Sequence, residues 1–367
     1  MRELLERVLD GHDLSEAQAG EVLGALMGDP PPPPAMAGAM LAALRTKGVV
    51  ADEVRGFARA MRARARRPAI PAALDSIDIV GTGGDASGSF NISTGTALLV
   101  AACDLPVVKH GNRSISSRSG SADVLEQLGL ALPLDEAAAG ECLAQAGFTF
   151  LFAPHYHPSM KAVAPVRQAL GVRTVFNILG PLTNPGEPPF HLIGAYSAAV
   201  AELMAQTLAG MGVRRAFVVH GANGWDEPTP IGPFTVFDVQ GGAVRAAVRT
   251  PGDYGLPTCR PEDLAGGDAV HNAAALRAVL RGEDRGAHRD ALLLGAALAL
   301  EVAGRAAGRS TASPSRAVRS TTAARRSVLE RLAAGARQAA RLAAAHQARL
   351  QALAAAAGAA SPTGTPR

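Results

Sequence analysis

The sequence predicts an α/β protein: a small all-helical domain, followed by a larger α/β domain with a mostly parallel central sheet. Up to about residue 70, apolar residues recur at helical spacing, beginning with Leu4, Leu5 and Val8. From Ser76 onward, short β-branched runs alternate with apolar helical segments, which is typical of parallel strands joined by helices. The chain has 367 residues, enough for two domains.

The helical domain is predicted to span residues 1–70. Helical spacing continues over residues 35–45 and 52–66, and a run of prolines, residues 30–34, precedes these two helices. Because proline lacks a backbone N–H and fixes its own φ, this run predicts a stiff connection. Residues 160–185, which contain a further helix, are expected to return to the helical domain from the middle of the chain.

The α/β domain is predicted to comprise residues 74–159 and 186–304. Its strands are expected at residues 76–80, 106–108, 148–152 and 215–219. Helices are expected from Ile92, from Ala122 and after Ala273, and residues 234–250 are expected to form a hairpin or meander. Residues 305–325 are predicted to be an irregular Arg/Ser-rich stretch, and residues 326–367 an Ala/Arg-rich helix and tail.

The charge of the chain is unevenly distributed. The formal net charge is +4, yet eleven arginines and a single acid, Glu330, lie between Arg305 and Arg367. The rest of the chain is therefore acidic, which argues against a nucleic-acid partner. No apolar run reaches the length of a membrane helix, the N-terminus lacks the features of a secretory signal, and three widely spaced cysteines argue against a disulfide framework. We therefore expect a cytoplasmic protein that does not bind membranes.

A glycine-rich turn follows the first predicted strand. Residues 81–95 read GTGGDASGSFNISTG and lead into the helix that begins at Ile92. Glycines let the backbone approach an anion closely, and a helix N-terminus capped by Asn91 or Ser93 would add a positive dipole end. The turn is too long for a dinucleotide fingerprint, and the next strand ends in Lys109 and His110, where a ribose would need an acid. The turn therefore predicts a phosphate site.

A second polar segment follows the next strand. Residues 109–121 contain three cations and five hydroxyls. Hydroxyl and backbone N–H groups bind phosphate oxygens, while Lys109 and the arginines supply positive charge. Ser121 is expected to cap the helix that begins near Ala122. Because this turn follows a strand that neighbours the first, we expect both turns to hold one phosphorylated ligand.

Four segments together resemble anthranilate phosphoribosyltransferases: GTGGD–SFNIST, KHGNRSISSRSGSADVLEQLG, VRTVFNILGPLTNP and HGANGWDE. The resemblance runs in continuous order from about Leu4 to Leu300, and the second and third segments are the most specific. It implies the fold shared with pyrimidine nucleoside phosphorylases, with a substrate cleft between the two domains. It also implies a homodimer formed through the helical domain.

The resemblance further implies which residues bind each substrate. Anthranilate is expected to lie against Gly81, Asn112 and Arg167, since an arginine can bind a planar carboxylate through two N–H groups. Residues 112–117 are expected to close over the donor, phosphoribosyl pyrophosphate. The residues expected to contact this donor are Gly81, Gly84, Asp85, Ser89, Asn91, Ile92, Ser93, Thr94, Lys109, His110, Gly111, Asn112, Arg113, Ser114, Ile115, Ser116, Ser117 and Ser121.

An acid pair supplies the expected metal site. Asp226 and Glu227 follow the predicted strand at residues 215–219, and carboxylate oxygens suit Mg²⁺. Taken alone, the pair could equally be a solvated turn. The resemblance assigns Mg²⁺ to Asp226, Glu227 and Ser93. The sequence departs from the family pattern at Trp225, usually leucine, and at Gly295, usually asparagine; glycine within a helix costs ~1 kcal/mol relative to alanine.

The implied reaction transfers the 5-phosphoribosyl group to the amine of anthranilate and releases pyrophosphate, a step of tryptophan biosynthesis, with Lys109 and Arg167 as catalytic residues. Because an aromatic amine can attack without prior deprotonation, positioning is expected to outweigh acid–base catalysis. Two alternatives remain open. One is a pyrimidine-nucleoside phosphorylase of the same fold, against which the serine-rich segment and the acid pair weigh. The other is a non-catalytic nucleic-acid-binding paralogue, although its basic tail lacks aromatic residues for base stacking.

Overall fold

The computed structural model describes residues 1–114 and 118–305, and it begins with four helices. These are α1 (Arg2–Leu9), α2 (Glu16–Leu26), α3 (Pro34–Lys47) and α4 (Ala51–Ala63). Helix α2 starts with a complete capping box, in which Ser15 and Gln18 each accept a hydrogen bond from the other's backbone N–H. The proline run ends inside α3, because proline is tolerated at the first position of a helix.

A seven-stranded sheet forms the centre of the larger part of the chain. In spatial order its strands are β3 (Phe148–Phe152), β2 (Val107–Gly111), β1 (Ile77–Gly81), β4 (Phe190–Gly194), β5 (Arg215–His220), β6 (Phe234–Gln240) and β7 (Ala243–Arg249). The first five are parallel and the last two antiparallel, so the predicted mostly parallel sheet is confirmed. The sequence prediction missed β4, a five-residue run closely flanked by prolines and glycine.

The β6–β7 hairpin closes one edge of the sheet. Only Gly241 and Gly242 separate its strands, and their φ angles are 59° and 78°. A two-residue hairpin turn with two positive φ angles matches the twist of the flanking strands, and glycine adopts it without steric cost. The segment expected to be a hairpin or meander is therefore a tight hairpin.

Nine further α-helices are described after the first four. They are α5 (Ile92–Ala101), α6 (Ser121–Gln127), α7 (Glu136–Ala146), α8 (Ala153–Tyr156), α9 (Ala164–Leu170), α10 (Phe176–Leu179), α11 (Ala198–Ala209), α12 (Ala269–Leu280) and α13 (Ala287–Val302). None of the helices in the described ranges has both the length and the apolar character needed to cross a membrane.

Two hydrophobic cores lie on opposite faces of the sheet. Because side chains alternate along a strand, the adjacent residues Leu192 and Ile193 of β4 belong to different cores. The core around Leu192 is completed by α5, α12 and α13. The core around Ile193 is completed by α1–α4, α11 and buried residues of the segment 163–182. This shared packing supports the expectation that residues 160–185 return to the helical domain, whose boundaries stay a prediction.

Helices α5 and α13 approach each other closely at glycines. A Cβ atom at Gly295 would lie 2.6 Å from Oγ1 of Thr96, and one at Gly95 would lie 2.8 Å from Cδ2 of Leu292. Both distances are shorter than real Cβ contacts, so a larger residue at either position would push the helices apart. Gly295, expected from the sequence to weaken its helix, therefore also permits close packing, while Trp225 is buried in the same core.

Candidate active site

The parallel strands place three loops at one edge of the sheet. Strand β1 ends at the glycine-rich turn, β2 at the serine-rich segment, and the loop after β5 carries Asp226 and Glu227. The carboxyl ends of parallel strands are the usual place for ligands in such sheets. Glycines make room there for Asp226: a Cβ at Gly81 would lie 2.4 Å from its Oδ2, and one at Gly194 would overlap its carbonyl oxygen.

The acid pair is tied to the glycine-rich turn by hydrogen bonds. Asp226 Oδ2 accepts from the backbone N–H of Gly83 at 2.5 Å, and the backbone N–H of Asp226 donates to Asp85 Oδ2 at 3.2 Å. Glu227 Oε1 accepts from the backbone N–H of Ser93 at 3.0 Å. Burial, with the charges of neighbouring acids adding to it, raises the pKa of Asp226 to about 7 and that of Glu227 to about 8. Three carboxylates are thus concentrated around one turn.

Lys109 provides the buried positive charge beside these acids. The residue is 2% exposed, and its Nζ donates to the carbonyl oxygen of Ile79 on β1. Burial lowers the pKa of Lys109, while the charges of Asp78, Glu227 and Asp226 act in the opposite direction. The end of β2 is therefore linked to β1 and to the acid pair through Lys109.

A further buried acid, Asp78, fixes the end of β2 through hydrogen bonds. Its Oδ1 accepts from the backbone N–H of His110 at 3.2 Å, and its Oδ2 accepts from Nδ2 of Asn184 at 2.8 Å. Asn184 also donates to the carbonyl oxygen of Val108 at 2.8 Å. Burial raises the pKa of Asp78 to about 6. The sequence analysis did not identify Asp78 or Asn184, since a single acid within a strand carries no local signal.

The N-cap position expected for Asn91 is confirmed, but the cap expected from Ser121 was wrong. Helix α6 begins at Ser121, and its N-cap position is Gly120, whose backbone N–H donates to Asp123 Oδ2 at 2.8 Å. Ser121 instead directs its hydroxyl to the carbonyl oxygen of Asn112 at 3.3 Å. Asn91 occupies the N-cap position of α5 but makes no capping bond, because its side chain bonds Ser119 and Asn272. Ser93 lies inside α5.

The other predicted donor contacts lie along the same two turns. Ser89 pairs with Ala265 as an isolated antiparallel bridge, and Gly84 has a φ of 73°. Ile92 is buried in the core, and Thr94 is buried on the same helix, α5. The remaining positions are Gly111 at the end of β2, Asn112 and Ser114 in the segment after it, and Ile115, Ser116 and Ser117, which lie outside the described residues.

Arg113 is paired with acids of helix α6. Its guanidinium nitrogens lie 2.6 Å from both carboxylate oxygens of Glu126, and one of them lies 2.9 Å from Asp123 Oδ1. A planar guanidinium matches a carboxylate in this two-point arrangement. The charge of Arg113, predicted from the sequence to contact the donor, is therefore compensated within the protein.

Arg167 lies on α9, outside the two turns. Its guanidinium stands 5.0 Å from the ring centroid of Phe176, and burial is the one influence that lowers its pKa. Within residues 1–114 and 118–305 no acid forms an ion pair with it. Gly81 and Asn112, the other residues expected to bind anthranilate, lie instead at the ends of β1 and β2.

Two histidines lie next to α10, the helix that also carries Phe176. Nδ1 of His110 lies 3.1 Å from the carbonyl oxygen of Gly180, directly after α10, and the rings of His110 and His157 meet edge to face at 5.1 Å. Burial lowers the pKa of His110 to about 3 and that of His157 to about 4. Both rings are therefore neutral at pH 7.

Arg173 was not identified from the sequence as a site residue. Its guanidinium donates to the carbonyl oxygen of Gly84 and stands 4.2 Å from the ring centroid of Tyr196, while its own carbonyl accepts from Arg45 at 2.8 Å. Arg173 therefore joins the glycine-rich turn to helix α3. It lies within the segment VRTVFNILGPLTNP, but nothing in its local sequence distinguishes it from a solvated arginine.

The donor atoms at the acid pair fit a magnesium ion. Ser93, Asp226 and Glu227 offer one hydroxyl and two carboxyl groups, and the raised pKa of both acids shows that their charged forms need a cation in addition to Lys109. In the described part of the chain, no three His, Cys, Asp or Glu side chains are arranged to hold a metal ion by themselves. Mg²⁺ commonly uses one or two carboxylates and completes its shell with water and phosphate oxygens. This donor set therefore suits Mg²⁺ that arrives with a phosphorylated substrate.

Comparisons with known proteins identify the family. The model of the glycosyl transferase family, helical bundle domain, matches residues 2–65, and that of its a/b domain matches residues 74–336. An anthranilate phosphoribosyltransferase of Methylobacterium nodulans is 52% identical over 302 residues, which are 82% of this chain and 88% of the relative. That of Desulforudis audaxviator is 48% identical over 307 residues, 83% of this chain and 88% of the relative.

Solved structures agree with these relatives. The crystal structure of the anthranilate phosphoribosyltransferase from Thermus thermophilus matches with a TM-score of 0.81 and 40% identity, covering 95% of this chain and 99% of that one. The Saccharomyces cerevisiae enzyme in complex with PRPP (phosphoribosyl pyrophosphate) and Mg matches with a TM-score of 0.77 and 25% identity, covering 94% of this chain and 97% of that one. The chain therefore belongs to the anthranilate phosphoribosyltransferase family.

Proposed function

We propose that this protein transfers the 5-phosphoribosyl group from phosphoribosyl pyrophosphate to anthranilate and releases pyrophosphate, in tryptophan biosynthesis. One observation carries the proposal: the glycine-rich turn, Lys109 and the acid pair meet at one edge of the sheet in a chain of this family. A glycine-rich turn lets backbone approach phosphate oxygens closely, and adjacent carboxylates suit the metal that accompanies them.

The donor is assigned to the two turns. In the reaction the amine nitrogen forms a bond to C1 of the ribose, the bond from C1 to the pyrophosphate oxygen breaks, and the amine releases a proton. Positive charge develops on the ribose and negative charge on the leaving group. Mg²⁺, held by Asp226, Glu227 and Ser93, would neutralise charge on the pyrophosphate oxygens. Lys109 adds a fixed positive charge at the base of the site, where burial strengthens its effect.

The acceptor is assigned to Arg167 with Gly81 and Asn112. The partly buried guanidinium of Arg167 has no acid partner among the described residues, so it retains its capacity for a carboxylate. His110 and His157 are neutral and would contribute uncharged surface beside the aromatic ring. No side chain is assigned as a general base, because the aromatic amine attacks in its neutral form. Catalysis in this proposal depends on holding the two substrates together.

A homodimer through helices α1–α4 and a cytoplasmic location are part of the same proposal. Leu9 on α1 is 64% exposed, which leaves apolar surface on the helical domain. The three cysteines are free thiols, as is usual in a reducing compartment. Sedimentation of the purified protein at several concentrations tests the dimer, and a monomeric wild type would reject it. A Leu9→Glu variant tests whether the dimer forms through this surface, and we expect it to be monomeric.

The proposed activity is tested by the loss of anthranilate fluorescence in the presence of phosphoribosyl pyrophosphate and Mg²⁺. We expect turnover that requires all three components. Two further assays separate the alternatives. Cleavage of thymidine with inorganic phosphate, without anthranilate turnover, would identify a nucleoside phosphorylase. Salt-dependent DNA binding that is lost when residues 306–367 are deleted, in a protein without turnover, would identify the nucleic-acid-binding alternative.

A further inference from the structure

A third stretch of backbone lies along the glycine-rich turn. The N–H of Gly266 donates to the carbonyl oxygen of Gly88 at 2.8 Å, and the N–H of Phe90 donates to that of Leu264 at 3.1 Å. A Cβ atom at Gly266 would lie 2.5 Å from the carbonyl oxygen of Ser89. Only glycine permits so close an approach of two backbones. Residues 264–267, far from the turn in sequence, therefore form one wall of it.

Helix α12 begins directly after this stretch and places Asn272 between the two turns. Asn272 is 2% exposed. Its Oδ1 accepts from the N–H of Gly267 at 2.7 Å, and its Nδ2 lies 2.9 Å from Oδ1 of Asn91 and 2.9 Å from Oγ of Ser119. Ser119 Oγ also lies 3.0 Å from Asn91 Oδ1. One buried amide therefore joins the start of α5, the serine-rich segment and its own helix.

This arrangement fixes the orientation of Asn91. A buried amide oxygen that loses its donors costs ~1–3 kcal/mol, so Asn91 keeps its oxygen toward Asn272 and Ser119. Its amide nitrogen is then directed to the backbone oxygen of Ser119 at 3.4 Å. Asn91 directly precedes α5, whose second residue, Ser93, donates its backbone N–H to Glu227. A displaced Asn91 would therefore disturb both the turn and the acid pair.

We propose that Asn272 is a positioning residue for the donor site, acting through Asn91 and Ser119 without touching the substrate. The inference rests on the proposed function, because it assigns the donor to the two turns that Asn272 joins. It adds a residue from the C-terminal third of the described chain that neither the motifs nor the acid pair indicated. The donor site is then built from four segments rather than three.

The test compares Asn272→Ala, Asn91→Ala and the double variant with wild type. For Asn272→Ala we expect the KM for phosphoribosyl pyrophosphate to rise about tenfold, the effect of one lost buried hydrogen bond, and the KM for anthranilate to change less than about twofold. The double variant is expected to have the same KM for phosphoribosyl pyrophosphate as Asn91→Ala alone, because the effects of two residues that act through one another do not add. Val279→Ala, a core truncation two turns further along α12, is the control for lost stability.

Asn272→Leu guards against a failure to fold. Leucine has nearly the shape of asparagine and buries no charge, while it removes both N–H donors. We expect the same selective rise in the donor KM. Any of three outcomes would overturn the inference. These are equal rises in both KM values, a selective rise in the donor KM in Val279→Ala as well, and additive effects on the donor KM in the double variant.

A calorimetric titration with phosphoribosyl pyrophosphate and Mg²⁺ separates this inference from the proposed function. If wild type binds the donor but does not consume anthranilate, the proposed function fails, while a selective loss of donor binding in Asn272→Ala still supports the positioning role. If wild type is active and the variants bind the donor as wild type does, only the positioning role fails.

Discussion

The donor side and the acceptor side of the proposed site differ in how their polar groups are satisfied. Around the glycine-rich turn, Asp85, Asp226 and Asn91 each have hydrogen-bond partners from other segments of the chain. On α9, Arg167 lies over an aromatic ring without an acid partner in the described ranges. The comparison indicates that the donor site is organised before its ligand binds. At the acceptor site, the positive charge of Arg167 remains available to pair with a carboxylate of the ligand.

The largest effect is expected from removing the charges of the donor side. In a protein with both Asp226→Asn and Glu227→Gln, the amide oxygens still accept from Gly83 and Ser93, but the site loses its affinity for Mg²⁺. We expect turnover to fall by roughly 10²–10³-fold or more. The rate of turnover is measured at a fixed donor concentration while MgCl₂ is varied. Glu262→Gln, which neutralises an exposed acid, is the control.

The same double variant separates function from stability. Burial raises the pKa of both acids, so their charged forms are unfavourable in the folded protein. Replacing them by neutral amides of the same shape should leave the midpoint of thermal unfolding unchanged or raise it. A large decrease in that midpoint would show that the charges stabilise the turn instead. An unchanged Mg²⁺ titration would remove the metal assignment.

The next largest effect is expected on the acceptor side, at Arg167. Arg167→Ala removes a charged hydrogen-bond donor, which is worth ~1.5–3 kcal/mol and predicts a rise of about 10- to 100-fold in the KM for anthranilate. The donor KM should change much less. Arg167→Lys should recover little of the loss, because a lysine cannot bind a carboxylate with two parallel N–H groups. Equal effects on both substrates would contradict the division into two sides.

A smaller effect is expected at Arg173, which joins the glycine-rich turn of the donor side to helix α3. Its contacts with Gly84 and the Tyr196 ring are partly exposed, and a cation–π contact there is worth ~0.5–1 kcal/mol. Arg173→Ala should therefore raise the donor KM a few-fold, with little change in thermal stability. Arg245→Ala, an exposed arginine on β7 in the hairpin edge of the sheet, is the matched control. An unchanged donor KM would show that Gly84 is held by the turn alone.

The last effect concerns stability at low pH and leaves activity at pH 7 unchanged. Burial lowers the pKa of His191, on β4, to about 3, so the folded protein holds the neutral ring. The unfolded chain binds a proton below about pH 6.5, and the stability that this group contributes is complete above that pH and is lost as the pH falls toward 3. At pH 5 the loss is about 2 kcal/mol.

His191→Gln, which cannot take up that proton, tests this loss. The change in unfolding midpoint between pH 7.5 and pH 5 should be smaller in the variant than in wild type. Comparing the two pH values within each protein removes any constant cost of the substitution. Parallel midpoints in both proteins would contradict the assignment of the neutral ring to the folded state.

Much of the donor site follows from local patterns in the chain. A β-branched run followed by glycines predicts β1 and its turn, and a strand followed by cations and hydroxyls predicts the serine-rich segment. The acid pair after β5 was found in the same way, as adjacent carboxylates at the end of a strand. Each pattern occupies fewer than about twenty neighbouring residues, within which backbone preferences and side-chain chemistry act directly.

Local patterns failed where a partner comes from another segment. Asn91 occupies the expected N-cap position without a capping bond, because its side chain bonds Ser119 and Asn272. The cap expected from Ser121 was wrong, because its hydroxyl bonds the carbonyl oxygen of Asn112. Strand β4 was missed, although it lies between β1 and β5 and brings their loops together. Short-range preference is overridden wherever a distant donor or acceptor offers a better bond.

Neighbouring residues alone predict three features: the glycine-rich turn, the serine-rich segment and the alternation of strands and helices. Other interactions join residues up to 181 positions apart. They are the electrostatic interaction of Lys109 with Asp78 and the hydrogen bonds of Arg173 with Gly84 and of Asn272 with Asn91. Such pairs depend on the strand order and on which face of the sheet each helix covers. A buried polar group needs a partner, but only the folded arrangement of the sheet decides which partner is within reach.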